Sequence, residues 1–187
     1  PMVASHLIQT RVGIDVMMHF CCRDRNVLAV QADLLGCHAL GLRNILAITG
    51  DPALIGDYPT ASSVFDIDSI GLVRILRLFN DGQDLGGNSI AEKTQFLVAV
   101  AYNPLAPDTD LERTRLARKA DEGAQLVYTQ PIFEWRRSSA RLRTPRLMVF
   151  LRLSASCRCE AQDTPSLCRT KFRVSQYRTR CARQSRR

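Results

Sequence analysis

Apolar residues follow two rhythms along this chain, short near-continuous runs and longer stretches at helical spacing, and the two alternate. Segment Val3 to Gln9 has weak helical character, and Asp15 to Cys22 is an apolar run of strand length. From Arg25 to Leu40 apolar side chains recur near helical spacing in two sets, Leu28, Leu35 and Ala39, and Val27, Val30 and Leu34, before Gly41 supplies a stop. Asn44 to Ile48 reads as a buried strand that breaks into Thr49-Gly50-Asp51-Pro52. Asp66-Ile67-Asp68-Ser69 offers N-cap chemistry to a helix reaching Phe79, with Ile70, Val73, Leu76 and Leu78 as its apolar face. After a Gly-rich loop from Asp81 to Lys93, Phe96 to Ala101 predicts a third strand. Leu111 to Glu122 predicts a helix closed by Gly123, and Leu126 to Gln130 a fourth strand.

Strands this continuously apolar, separated by helices, call for an α/β fold with a parallel sheet covered by helices. A barrel and an open sheet both satisfy that pattern. The (β/α)8 barrel needs about 250 residues and eight strands, more than the 187 residues present, and the four strands read above make about half of one. The expected architecture is a partial (β/α)8 TIM barrel over residues 1–134, followed by an irregular basic tail over 135–187.

Charge separates the same two regions. The net charge of +8 suggests nucleic acid until it is divided: residues 1–134 hold 11 Lys+Arg against 16 Asp+Glu, and residues 135–187 hold 15 against 2. Cysteine divides similarly, with Cys21, Cys22 and Cys37 in the first region and Cys157, Cys159, Cys168 and Cys181 in the second. No stretch is long and apolar enough to span a membrane. No basic-then-apolar leader is present, so a cytoplasmic location is the default expectation. Pro1 is not an initiating Met, and the native start is expected upstream.

Each strand ends in a polar cluster: His19 with Cys21-Cys22-Arg23-Asp24, Thr49-Gly50-Asp51, Tyr102-Asn103, and Thr129-Gln130. Ligands gather at the carboxyl ends of parallel strands, where loops vary without disturbing the core. Asp51 is thus the first candidate for chemistry, although Thr-Gly-Asp-Pro also reads as a plain strand-ending turn. Glu112, Arg115, Arg118 and Lys119 lie on one predicted helix, with spacings that suit either a diphosphate site or ion pairs on a solvated face. Gly82, Gly86 and Gly87 do not form G-x-G-x-x-G and follow a helix, which argues against a Rossmann site. Adjacent Cys21 and Cys22 lack the separated pairs of a zinc site, and His6 and His38 read as ordinary helix residues.

The segments His19-Phe20-Cys21-Cys22-Arg23-Asp24-Arg25-Asn26, Asn44 to Pro52, Gly56-Asp57-Tyr58-Pro59, Phe65 to Ser69 and Thr129-Gln130-Pro131 together resemble methylenetetrahydrofolate reductase. The likeness is closest to the reductase half of bacterial enzymes that also carry a homocysteine S-methyltransferase domain, and it covers residues 1–134. The resemblance implies a (β/α)8 barrel holding FAD, which passes a hydride from NAD(P)H to 5,10-methylenetetrahydrofolate and yields 5-methyltetrahydrofolate in one-carbon and methionine metabolism. By position it implies that Asp51 tunes the flavin and helps activate folate, with Thr49 and Gly50 lining the flavin. It also makes His19 and Tyr102 flavin contacts, Glu112, Arg115, Arg118 and Lys119 the ribityl and diphosphate-binding helix, and Gln130 a folate contact.

Departures accompany the likeness. Many family members carry Arg where this chain has Thr49, and Thr where it has Cys21. The family's general acid, a glutamate ending the first barrel strand, has no counterpart in these residues, and losing such a donor costs about 10²- to 10⁴-fold in rate. For the tail three readings stand: a nucleic-acid-binding arm acting by counterion release, a cysteine-based metal module, and an out-of-frame translation of the missing barrel. Trp135, Phe150, Phe172 and Tyr177 are too sparse for base stacking, and the cysteine spacing fits no zinc module. Back-translation shifted by two bases reads V-L-P-L-R-S, Q-N-E-V-P and P-I-P-D-A-V-R-A in one frame, and the family's barrel ends with such segments in that order. The third reading is therefore the expectation. With it comes the expectation of a marginal or poorly soluble polypeptide, since half a barrel leaves sheet edges open; a sharp cooperative melt from a monodisperse sample would refute it.

Overall fold

The computed structural model describes residues 1–130 and the backbone of 148–150. Helix α1 (Met2–Val12) precedes β1 (Met17–Cys21), α2 (Val27–Ala39), β2 (Asn44–Ile48), a 3-10 turn (Ala53–Ile55) and α3 (Ser69–Asp81). Then follow β3 (Leu97–Tyr102), α4 (Thr109–Asp121), β4 (Leu126–Thr129) and β5 (Met148–Phe150). All neighbouring strands are parallel, and they lie in the order β1-β2-β3-β4-β5. An open doubly wound sheet reverses its strand order at a switch point. Among the described residues the order never reverses, as expected for a segment of a (β/α)8 barrel.

Strand parity divides the sheet into two faces. Met18 and Phe20 of β1, Ile45 and Ala47 of β2, and Val98, Val100 and Tyr102 of β3 pack with the helices in the main core. Leu46, Ala99 and Leu126 form a second cluster, with Met17, Ile48 and Tyr128 against it. The helices begin where a polar residue satisfies their first N–H groups. Asn26 accepts from the Ala29 N–H at 2.9 Å, Asp68 from Ile70 and Gly71 at 3.0 Å each, and Asp108 from Asp110 and Leu111 at 3.1 and 2.9 Å. Asn80 ends the loop ahead of β3: its amide donates to the Phe96 carbonyl, and its Oδ1 accepts from Thr94 Oγ1 and Phe96 N–H.

Three expectations are corrected. In α2 the buried set is Val30, Leu34 and Cys37, whereas Leu28 is 72% exposed; Val27, Val30 and Leu34 thus mark the inward side. In α3 the buried face is wider than predicted, with Leu72, Val73, Ile75, Leu76 and Phe79 inside and Ile70 and Leu78 only half-buried. A helix wedged between sheet and neighbouring helix needs such a broad stripe. Third, the sheet does not end at β4. β5 lies inside the interval read as an irregular tail and pairs in parallel from Leu126↔Met148 to Tyr128↔Phe150. Its sequence signal is only Leu147 to Leu151, flanked by Arg146 and Arg152, too short a run for periodicity to register. The basic-arm, metal-module and shifted-frame readings fall on residues 135–187, of which all but 148–150 lie outside the described residues.

Candidate functional site

The strands being parallel, their carboxyl ends open on one edge of the sheet, and the polar clusters meet there. His19 is exposed on the face opposite Met18 and Phe20. Cys21 shares that face, and its thiol donates to the Thr49 carbonyl at 3.3 Å. Thr49 Oγ1 accepts the Ser69 N–H at 3.1 Å, which ties the end of β2 to the start of α3. Gly50 adopts φ +90°, and a Cβ there would overlap the Cys21 sulfur. Asp51 follows, exposed, in the turn leaving β2.

Between the ends of β3 and β4 and one face of α4 lies a cavity of about 530 Å³, its walls including Tyr102, Glu112, Arg115, Lys119 and Gln130. Positions 112, 115 and 119 share a helix face by i, i+3 and i+7 spacing. Lys119 is only 6% exposed, and its Nζ donates to the Ala101 carbonyl at 2.9 Å. Burial lowers its pKa, an effect that the Glu112 carboxylate partly opposes. Glu112 Oε1 accepts the Asn103 N–H at 3.0 Å, and Arg115 stands 3.8 Å from Asp68 Oδ2. The cavity thus joins a buried ammonium and a guanidinium to carboxylates already engaged with backbone N–H groups or each other's cations. Such a floor suits a polyanion.

Thr49, Gly50 and Asp51 therefore lie at the end of β2, and His19 stands two residues before the end of β1, level with Leu46, while Tyr102, Glu112, Arg115, Lys119 and Gln130 surround the cavity. Two candidates sit differently from the others. Arg118 is exposed and is not among the cavity residues, because it is turned by about 100° from Lys119 on the helix. Tyr102 is 1% exposed with its side chain in the helix-side core, so it meets the cavity from the helix side.

Two residues were not read as site residues. Asp68, expected as a cap and as part of the Phe65 to Ser69 motif, also faces Arg115 and so connects the two halves of the site. Arg23, expected only as part of the polar cluster and motif that end β1, donates to the Asp51 carbonyl.

The adjacent cysteines face opposite ways: Cys22 lies in the helix-side core, with its sulfur 3.6 Å from the Asp68 carbonyl. Burial pushes the Cys22 thiol up to about 12 and the Cys37 thiol up to about 11. Of Cys21, Cys22 and Cys37, only Cys21 should react with a thiol reagent at pH 8 while the chain is folded, as mass mapping would show. The folded state keeps protons that the unfolded thiols release above about pH 9, so stability should fall as pH climbs from 9 to 11. A lower urea midpoint at pH 10 than at pH 8 checks the sign.

The sequence model of the family described as Methylenetetrahydrofolate reductase matches residues 2–140. The chain is also 33% identical over 134 residues to Methylenetetrahydrofolate reductase 1 of Schizosaccharomyces pombe, covering 69% of this chain and 20% of that protein. It thus spans about a fifth of the length of the curated relative it matches. Among the described residues no helix is long and apolar enough to cross a membrane. A sequential parallel sheet, a polar mouth at its carboxyl edge and a match over residues 2–140 agree: the chain belongs to the methylenetetrahydrofolate reductase family.

Proposed function

We propose that this chain is part of an FAD-dependent reductase that converts 5,10-methylenetetrahydrofolate to 5-methyltetrahydrofolate at the expense of NAD(P)H. The observation that carries the reading is the cavity at the sheet's carboxyl edge, with Lys119 and Arg115 in its walls. Lys119 spends one of its three donors on Ala101 and has capacity for a diphosphate oxygen. Gly50 holds the β2 turn close against Cys21 and Arg23, whose atoms fill the space a side chain would take. The residues present thus fit FAD.

When bound, FAD supplies hydride transfer between nicotinamide and folate. The chain's own residues bind and orient. Arg115 and Lys119 neutralise the diphosphate, Glu112 fixes the strand-end loop through Asn103, and Tyr102 walls the cavity. His19 and Thr49 stand at the flavin's other end with Asp51. Arg118, outside the cavity, has the lesser share in binding. The Asp51 carboxylate places negative charge at the mouth, where a cationic folate intermediate is stabilised by it. Gln130, exposed at the end of β4, offers an amide to the pterin. Lys119→Met keeps the volume and removes one charge-assisted contact, worth about 1.5–3 kcal/mol. FAD affinity should fall by about 30-fold, read by flavin fluorescence titration; unchanged affinity would remove Lys119 from the site.

The likeness of the motifs to enzymes with a homocysteine S-methyltransferase half supports assigning the chain to that type. The shifted-frame origin of residues 135–187 is likewise a proposal, supported by three ordered segment matches in one frame. Sequencing the coding DNA decides it.

A further inference from the structure

We propose that Arg23 is a positioning residue for Asp51, clamping the Thr49-Gly50-Asp51 turn from across the sheet edge. The inference rests on the reading of Asp51 given above. The loop after β1 brings Arg23 against β2's terminal turn, and its planar guanidinium makes three contacts at once. Nε and Nη2 fork onto Asp24, at 2.5 Å to Oδ1 and 3.0 Å to Oδ2, and Nη1 donates to the Asp51 carbonyl at 3.1 Å. The backbone of Arg23 is fixed as well. Its N–H faces Cys21 Sγ at 3.4 Å, and its carbonyl accepts the Val64 N–H at 2.8 Å.

The turn is held at Thr49 by the Ser69 N–H and by the Cys21 thiol on the Thr49 carbonyl, and at Gly50 Cys21 and Arg23 leave no space for a side chain. At Asp51 itself the contact from outside the turn is Arg23. Asp24 orients the guanidinium, the guanidinium fixes the Asp51 carbonyl, and the Asp51 side chain is thereby aimed from a fixed Cα. Lysine does not replace this arrangement, because one ammonium lacks the planar fork that serves Asp24 and Asp51 together.

Hydrogen exchange of the peptide spanning residues 49–53 tests the clamp in the chain as it stands. Arg23→Gln should speed exchange there by about tenfold at an unchanged melting temperature, and Arg23→Lys should do the same although it keeps the charge. Unchanged exchange in both variants overturns the proposal. If Arg23→Gln does not fold, Asp24→Asn frees the fork while keeping Arg23 and carries the same expectation. A double-mutant cycle on folate turnover in the full-length protein tests the functional step. Arg23→Gln added to Asp51→Asn should cost nothing further; additive losses contradict action through Asp51. Should Asp51→Asn alone leave turnover unchanged, the reading of Asp51 fails, and the exchange result still decides the clamp.

Discussion

Asp51→Asn is expected to lower methylenetetrahydrofolate turnover in the full-length protein by about 10²-fold, the low end of what a positioned acid–base or charged group contributes, while FAD still binds. Asparagine keeps the volume and the turn preference of aspartate, so the loss reports the carboxylate charge. The structure makes the substitution clean. The Asp51 side chain is exposed, and the contact that anchors the residue goes from Arg23 to its backbone carbonyl, which asparagine retains. Steady-state kinetics separates the cases: a fall in kcat with the flavin in place supports a role in the chemical step. Unchanged turnover removes Asp51 from the mechanism and leaves the turn as a structural strand ending.

Gly50→Ala should be among the most damaging single substitutions at the site. Gly50 stands at φ +90°, where a side chain is strained, and an added methyl would overlap Cys21 Sγ and lie 3.3 Å from the Arg23 Cβ. The backbone term is about 1 kcal/mol and overpacking adds about 1–3 kcal/mol. Together they predict a fall in melting temperature of roughly 6–12 °C for a chain of this size. The double substitution Cys21→Ala with Gly50→Ala separates the two terms: it should recover the packing part and leave the backbone part. A Gly50→Ala protein that melts with the parent would show that the turn yields easily, and would also weaken the case that Asp51 is held in one place.

Most elements were legible because their physics is local. Near-continuous apolar runs marked β1 to β4, and Asp68 announced α3 through a cap that the structure bears out. What escaped depends on contacts across the fold. Nothing local says which apolar set of α2 faces the sheet, and packing chose Val30, Leu34 and Cys37. The Arg23 contact joins residues 28 apart in sequence through two loops, and no spacing rule reaches that far. Two of the remaining features do carry a local signal. Val98, Val100 and Tyr102 share a strand face by parity, which already puts the Tyr102 ring with the helix-side core. Helical angles likewise separate Arg118 from Arg115 and Lys119. β5 was missed because a short apolar run between arginines has no period to detect, and pairing with β4 supplies what its sequence does not.

The carboxyl edge of this sheet, with the α4 cavity, is expected to hold FAD. Titrating FAD into the folded protein, followed by flavin fluorescence, tests it most directly, with ADP as a competitor that carries the diphosphate but no flavin ring. The predicted result is saturable binding of one FAD per chain, displaced by ADP and weakened in Lys119→Met. A folded protein that shows no saturable FAD binding, or binds FAD equally well with and without the Lys119 ammonium, contradicts the account.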